Sequence, residues 1–178
     1  MSGLRSTVAS ALGAVALLLS APASAASQPT DADVKAAFLP RFARYVTWPA
    51  AAAPKNADPF VLCVIGNQQF GNAVEAAARS QSVDGRRIIV RKPLSPGATD
   101  GCQIAFVSGT STQSVEQALG AIGRRPVLTV TDDGGPRGLI HFSVVDGRVR
   151  FFIDQAAAQQ RGLQISSRLL ALAIGVRQ

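Results

Sequence analysis

His141 is the only histidine in this 178-residue chain, so any Ser-His-Asp hydrolase mechanism would have to use its imidazole as the general base. Such a mechanism also needs a nucleophile, and the sequence contains no GxSxG motif to present a serine at a strand-to-helix turn. Alternation along a predicted strand places Ile140 and Phe142 on one face and His141 on the other. We therefore expect His141 to be a half-exposed strand residue, and we predict no catalytic residue.

Three carboxylates, Asp132, Asp133 and Asp154, could act as acid–base groups or as ligands of a metal ion. Asp132 and Asp133 are followed by two glycines, however, and this sequence is typical of a turn because Asp and Gly tolerate the backbone angles that turns require. The chain has no CxxC motif, and two thiols are too few to complete a zinc site. We therefore predict neither a metal site nor a cofactor.

Gly66 ends an apolar run and begins the sequence Gly-Asn-Gln-Gln-Phe-Gly over residues 66–71. This segment follows a predicted strand and precedes a predicted helix, but it lacks the GxGxxG spacing of a dinucleotide-binding loop. The N-terminus of that helix could still receive a carboxylate or a phosphate. Gly66 and Asp132, at the ends of two predicted strands, therefore define an alternative solute site.

Residues 1–25 have the composition of a cleaved export signal. Arg5 lies near the start, residues 8–19 carry no charge, and the small residues Ala23 and Ala25 suit a signal peptidase. The apolar run is too short to span a bilayer, and no later run reaches about 18 residues. We predict a periplasmic protein with a single domain over residues 26–178; an uncleaved anchor is the alternative.

Cys63 and Cys102 are the only cysteines in the sequence. In an oxidising compartment an isolated pair is most simply a disulfide. Closing a loop of about 40 residues would stabilise the fold by roughly 4 kcal/mol in the chain-entropy model. Two separately buried thiols are the alternative. The residues alone do not distinguish a permanent structural disulfide from a reversible redox switch.

The chain is basic, with a formal net charge of +7 that falls to +6 when Arg5 leaves with the signal. Its basic residues are scattered rather than clustered in a stripe with stacking aromatics, so we predict no nucleic-acid binding. Attraction to an acidic protein partner or to anionic lipid explains the charge better in an exported protein.

A helix is predicted over residues 34–47, because apolar residues recur every three or four positions before Trp48 and Pro49 end the run. Asp31 or Asp33 could cap this helix. Pro40 should kink it or delay its start, since the proline ring removes a hydrogen bond and crowds the preceding turn.

Four residues of this segment, Arg41, Arg44, Tyr45 and Trp48, are the candidate partner-binding residues. Arg41, Arg44 and Tyr45 would lie on exposed faces, and arginine and tyrosine are common anchors in protein interfaces. Trp48 would either fill the core or lie at the surface as a contact residue.

The rest of the chain alternates short apolar runs with helical segments, which is typical of a largely parallel α/β sheet. Strands are predicted over residues 60–65, 86–91, 104–107 and 127–130, and helices over residues 70–80, 111–122, 155–160 and 166–173. Residues 139–145 and 148–153 flank an Asp-Gly pair that favours the turn of an antiparallel hairpin. We therefore predict a single α/β domain with a mostly parallel central sheet flanked by helices and a C-terminal antiparallel hairpin.

The order and spacing of several segments resemble the YfiR family of periplasmic proteins along nearly the whole chain after the signal. The resemblance is carried by Val-Lys-Ala-Ala-Phe-Leu at 34–39, Trp-Pro at 48–49, Phe-Val-Leu-Cys-Val-Ile-Gly at 60–66, Cys-Gln-Ile-Ala-Phe-Val-Ser at 102–108, Val-Leu-Thr-Val-Thr-Asp at 127–132, Gly-Arg-Val-Arg-Phe-Phe-Ile-Asp at 147–154 and Gly-Leu-Gln-Ile-Ser-Ser-Arg-Leu-Leu at 162–170. Pro40 and the abbreviated stretch 132–138 depart from the family pattern and leave the identity of the partner open.

The resemblance implies a non-enzymatic regulator that binds the periplasmic sensory domain of an inner-membrane diguanylate cyclase and holds it inactive, so that release raises cyclic di-GMP and favours biofilm formation. It also implies redox state or cell-envelope stress as the input, with Cys63 and Cys102 as the family's disulfide pair. The alternative is a solute-sensing module partnered with a membrane sensor kinase or transporter. Either protein could work as a homodimer.

Overall fold

The computed structural model describes residues 28–95, 97, 99–135 and 137–178, so the predicted export signal lies outside the described residues. The α-helices are α1 (Asp31–Phe42), α2 (Gln68–Ala78), α3 (Val115–Ile122), α4 (Gln155–Gln160) and α5 (Ser167–Leu170), and a 3₁₀ turn, Ala43–Tyr45, follows α1. The strands are β1 (Val46–Thr47), β2 (Phe60–Ile65), β3 (Ser82–Val83), β4 (Arg86–Arg91), β5 (Ile104–Val107), β6 (Leu128–Thr131), β7 (Ile140–Val145), β8 (Arg148–Asp154), β9 (Gln164–Ile165) and β10 (Gly175–Arg177).

The central sheet has the strand order β10-β8-β7-β6-β5-β2-β4-β3. Its neighbouring strands are parallel except in the pairs β7–β8 and β3–β4. The β7–β8 pair is the predicted hairpin, and its turn residues Asp146 and Gly147 both have positive φ, as a primed turn requires. The predicted α/β fold, with a mostly parallel sheet and a C-terminal antiparallel hairpin, is confirmed.

The main hydrophobic core lies between the sheet and the pair of helices α1 and α2. Alternate residues of the central strands are buried there, as a strand period of two requires. At one end of this core four phenylalanine rings have centroids 5.3–6.1 Å apart, namely Phe38 and Phe42 of α1, Phe142 of β7 and Phe151 of β8. These contacts fix the position of α1 across the hairpin.

Helix α3 covers the middle of the opposite face of the sheet. Its Ala118 and Ile122 belong to a second buried cluster with residues of β2 and β5, including Cys63 and the nearby Cys102. The helices that follow β2 and β5 therefore lie on opposite faces, which is the arrangement of a doubly wound sheet.

The first helix differs from its predicted limits at both ends. Thr30, rather than Asp31 or Asp33, is the N-cap: its side chain accepts from the Asp33 amide, and the Asp33 carboxylate accepts from the Thr30 amide at 2.9 Å. Pro40 does not delay the start, because α1 begins at Asp31, but the helix ends at Phe42, before the predicted limit of residue 47. Pro40 lies in the last turn, two residues before that end.

Other predicted limits also shifted. Helix α3 begins at Val115 because Ser114 is its N-cap, and the helix predicted over 166–173 is reduced to Ser167–Leu170. The strands β1, β3, β9 and β10 were not predicted, since two or three residues are too few to show a hydrophobic period.

Candidate functional site

The C-terminal ends of α1 and α2 meet at a shallow groove of about 450 Å³. Its described lining is Arg41, Arg44 and Tyr45 with Ser80 and Gln81. Both arginines are exposed and Tyr45 is half-buried. The structure thus brings together three of the four predicted partner-binding residues, on a described surface with two positive charges and no carboxylate.

The local sequence explains why these side chains face outward. Ala36, Leu39 and Phe42 recur at helical spacing and are buried, which leaves Arg41 on the solvent side of α1. The chain then tightens into the 3₁₀ turn, and the Tyr45 carbonyl accepts a hydrogen bond from the Ser166 amide at 2.8 Å. The base of the groove is therefore fixed to the C-terminal segment, to which β1 is also paired through β9.

Trp48 lies beneath the surface rather than in the groove. It is 8% exposed, and its Nε1 donates a hydrogen bond to the Gln103 carbonyl oxygen at 3.0 Å. Its ring meets Phe60 edge to face, with centroids 5.2 Å apart. Of the two positions that the sequence left open for Trp48, the structure gives it the core position.

Cys63 in β2 and Cys102, just before β5, are joined by a disulfide with Cα atoms 5.9 Å apart. Cys63 is fully buried and Cys102 is 4% exposed. Cys102 also lines a cavity of about 470 Å³ near the amino end of β5. The bridge therefore joins β2 to the segment that leads into the adjacent parallel strand β5.

Gln103 connects this disulfide to Trp48. Besides accepting from Trp48, Gln103 receives the Val61 amide hydrogen bond at its Oε1 (2.8 Å) and donates from Nε2 to the Ala52 carbonyl (3.0 Å). It is 6% exposed and is a buried polar hub that sequence reasoning missed. A glutamine next to a cysteine carries no pattern that would have singled it out.

The Gly66 turn is closed by packing rather than open to a ligand. Gly66 has φ +84°, and a Cβ added there would overlap the Ser108 carbonyl oxygen and approach the Thr110 methyl group. At the start of α2, Asn67 accepts from the Phe70 amide at 2.9 Å and so uses one of the free helix amides. Asp132 lines a separate cleft of about 420 Å³ whose described lining does not include Gly66.

The three predicted carboxylates have separate structural partners. Asp132 accepts from Lys35 Nζ at 2.7 and 2.9 Å. Asp133 accepts from the Val144 amide at 3.2 Å. Asp154 is the N-cap of α4 and forms an ion pair with Arg177. Burial alone would raise the pKa of Asp154, but hydrogen bonds from Arg177 and the Ala157 amide outweigh it and lower that pKa.

His141 is buried, at 6% exposure, and the expectation that it is half-exposed is wrong. It does lie on the face opposite the main core, where it lines a cavity with Arg137 and Phe152. Burial and the nearby Arg137 charge lower its pKa below the usual value. The imidazole is therefore held in its neutral form at neutral pH.

The arrangement of Thr131, His141 and Asp133 resembles a catalytic triad, but the Thr131 hydroxyl is not accessible to a substrate. His141 Nδ1 is 2.9 Å from Thr131 Oγ1, and His141 Nε2 is 3.7 Å from Asp133 Oδ1. Thr131 is completely buried, and its Oγ1 already accepts from the Gly138 amide at 2.8 Å. Because no substrate can reach that hydroxyl, the arrangement holds the β6–β7 junction rather than supplying a nucleophile.

Within the described residues, no group of three or more His, Cys, Asp or Glu side chains could hold a metal ion. No helix among them is both long enough and apolar enough to cross a bilayer.

Comparison with known proteins gives one result that bears on the whole fold. No curated protein matches the sequence. A model of the family described as YfiR/HmsC-like matches residues 32–174, a span that includes every described strand of the central sheet except β10. The groove, the disulfide and the Lys35–Asp132 pair all lie within it. This chain belongs to the YfiR/HmsC-like family.

Proposed function

We propose that this protein is exported to the periplasm after removal of residues 1–25, and that it binds and inhibits the periplasmic sensory domain of an inner-membrane diguanylate cyclase. The observation that carries this proposal is the match of the YfiR/HmsC-like family over residues 32–174. That family consists of periplasmic regulators rather than enzymes. Thr131, the one hydroxyl among the described residues that is hydrogen-bonded to His141, is buried, and this supports a role without catalysis.

The groove formed by Arg41, Arg44 and Tyr45 is the surface that we assign to the partner. Arginine binds an acidic segment strongly, because its guanidinium group forms bidentate hydrogen bonds with a carboxylate. Tyrosine adds an apolar ring and a hydroxyl group, and both residues are common anchors in interfaces. The fixed backbone beneath Tyr45 reduces the ordering cost of binding. An acidic surface on the cyclase domain would therefore fit this groove.

The disulfide would make the binding properties of this surface depend on the redox state of its surroundings. Cys102 is followed by Gln103, whose carbonyl holds the Trp48 indole, and Trp48 is three residues from Tyr45 in the groove. Breaking the bridge between Cys63 and Cys102 would loosen the amino end of β5 and with it the contact that positions Trp48. We infer that the oxidised form binds the partner more tightly than the reduced form.

Binding between residues 26–178 and the periplasmic domain of a membrane diguanylate cyclase from the same organism tests the proposal. Titration calorimetry should detect a complex, and adding the protein to membranes that contain the full-length cyclase should lower cyclic di-GMP synthesis. The variant R41E/R44E should weaken binding by at least about tenfold, because two attractive charges become repulsive.

The matched control is R124E/R148E, which changes the net charge by the same amount at two exposed arginines outside the groove. If both double variants weaken binding equally, the groove is not the contact surface. Absence of binding in both the oxidised and the reduced protein would refute the inhibitory function itself.

A further inference from the structure

None of the helices in the described residues covers the region of the sheet formed by β7, β8 and β10 on the face opposite α1. Helices α1 and α2 cover one face, and α3 covers the β2–β5 region of the other face. On that second face, β7, β8 and β10 present the side chains that alternate with the core residues, including His141, Phe152 and Asp154. A cavity of about 530 Å³ lies there, which is the size range of metabolite sites.

The cavity is built from strands and one loop. Its described lining is Arg137 and Gly138 in the loop before β7, His141 in β7, Phe152, Ile153 and Asp154 in β8, and Gly175, Val176 and Arg177 in β10. Gly175 is paired with Phe152 in register, and a Cβ at Gly175 would lie 2.8 Å from the Phe152 ring. The absence of a side chain at Gly175 therefore leaves room for the Phe152 ring beside β10.

The charges of the lining leave an excess of one positive charge. Arg137 and Arg177 are cationic and Asp154 is anionic, while burial holds His141 neutral. Both carboxylate oxygens of Asp154 already accept a hydrogen bond, one from Arg177 and the other from the Ala157 amide at 3.0 Å. The unbalanced charge is thus that of Arg137.

The Arg137 guanidinium lies over the Phe152 ring, with its carbon 4.5 Å from the ring centroid. Among the described residues it forms no hydrogen bond and no ion pair. A guanidinium that stacks on an aromatic ring keeps the N–H donors around its edge free to bind an acceptor. Arg137 is therefore both oriented and unpaired.

We propose that this cavity binds a small organic anion, whose carboxylate or phosphate group is held by the edge of Arg137 and whose apolar part packs beside Phe152. Two oxygens of a carboxylate or phosphate group can accept bidentate hydrogen bonds from one arginine side chain. The proposal goes beyond the inhibitory function and does not rest on it, because it concerns the isolated chain on the face of the sheet opposite α1.

Titration of the ¹⁵N-labelled protein with 2-naphthoate, 2-naphthyl phosphate and the neutral 2-naphthamide tests this proposal by NMR. We expect the anions to give saturable amide shifts at residues 137–141, 152–154 and 175–177, and the stronger of the two identifies the preferred group. The neutral amide should bind at least about tenfold more weakly, since it lacks the charge that pairs with Arg137.

The variant R137Q should lose about tenfold or more in anion affinity without unfolding, because Arg137 is exposed, whereas R124Q at another exposed arginine should bind as the unchanged protein does. Three results would overturn the proposal: equal affinity for anion and amide, equal affinity of R137Q and R124Q, or no saturable shift at these residues up to about 10 mM probe.

Discussion

Lys35 in α1 and Asp132 at the end of β6 form an ion pair across 97 residues of sequence, with Lys35 Nζ 2.7 and 2.9 Å from the two carboxylate oxygens. The pair is unequally buried: the Lys35 side chain is 10% exposed and the Asp132 side chain 33%. The ion pair connects α1 to the loop that follows β6. Its two ends should therefore respond differently to removal of the partner.

We predict that D132N destabilises the protein more than K35M does. D132N leaves a buried ammonium group without its counter-charge and should cost about 3 kcal/mol, whereas K35M leaves a carboxylate that water can still reach and should cost about 1 kcal/mol. Urea denaturation measures both. The control K55M removes an exposed lysine and should change stability by less than about 0.5 kcal/mol. Equal costs for D132N and K35M would contradict this asymmetry.

The sheet could be predicted because its strands carry strong local patterns. The limits of β4 and β5 agree with the prediction to the residue, and the Asp-Gly turn of the hairpin is where the sequence places it. Buried parallel strands are continuous apolar runs between glycines and prolines, which single-sequence reasoning detects well. The exposure of Arg41 on the solvent side of α1 also followed from helical spacing.

Long-range polar contacts could not be predicted in the same way. Lys35 looked like one of many scattered basic residues, and only the tertiary fold brings it to Asp132. Gln103 and the burial of His141 depend equally on which strands become neighbours. The burial of Trp48 is decided by Phe60 and Gln103, which lie 12 and 55 residues away in sequence. A periodic pattern records which face of an element is apolar but not what lies across from it.

Gly66→Ala should be far more destabilising than Gly85→Ala, although both glycines have similar positive φ values of +84° and +75°. An added methyl group at Gly85 meets nothing within 4 Å, so G85A should cost only the backbone strain of about 1–2 kcal/mol. At Gly66 the same methyl group overlaps the Ser108 carbonyl, which adds about 1–3 kcal/mol of overpacking. Thermal denaturation of the two variants measures the difference, and equal melting temperatures would show that the β2 and β5 ends are not packed together.

Reduction of the disulfide should lower the free energy of unfolding by roughly 4 kcal/mol, because the bridge spans 39 residues of sequence. Trp48 is the only tryptophan and is buried, so its fluorescence reports unfolding in denaturant directly. The variant C63A/C102A should have the stability of the reduced protein within about 1 kcal/mol. Identical denaturation midpoints for oxidised and reduced protein would mean that the bridge does not constrain the unfolded chain.

Stability should fall as the pH drops below 6.5, and His141 should be the cause. Burial and Arg137 lower the pKa of His141 in the folded protein, while the unfolded chain keeps the ordinary value of 6.5. Above pH 6.5 the imidazole is neutral in both states and has no effect. Below it the unfolded chain takes up the proton first, so unfolding is favoured down to the folded-state pKa, with a slope of at most about 1.4 kcal/mol per pH unit.

His141 is the only histidine, so no other side chain with an ordinary pKa titrates between pH 5 and 6.5. The variant H141N keeps an acceptor for the Thr131 hydroxyl but cannot take up a proton in this range. Urea denaturation at pH 7.0, 6.0 and 5.0 measures the free energy of unfolding of both proteins. Relative to its own value at pH 7.0, this free energy should fall for the unchanged protein and stay constant for H141N. If the two profiles decline in parallel, the proton is taken up elsewhere and the buried imidazole is not the acid-sensitive group.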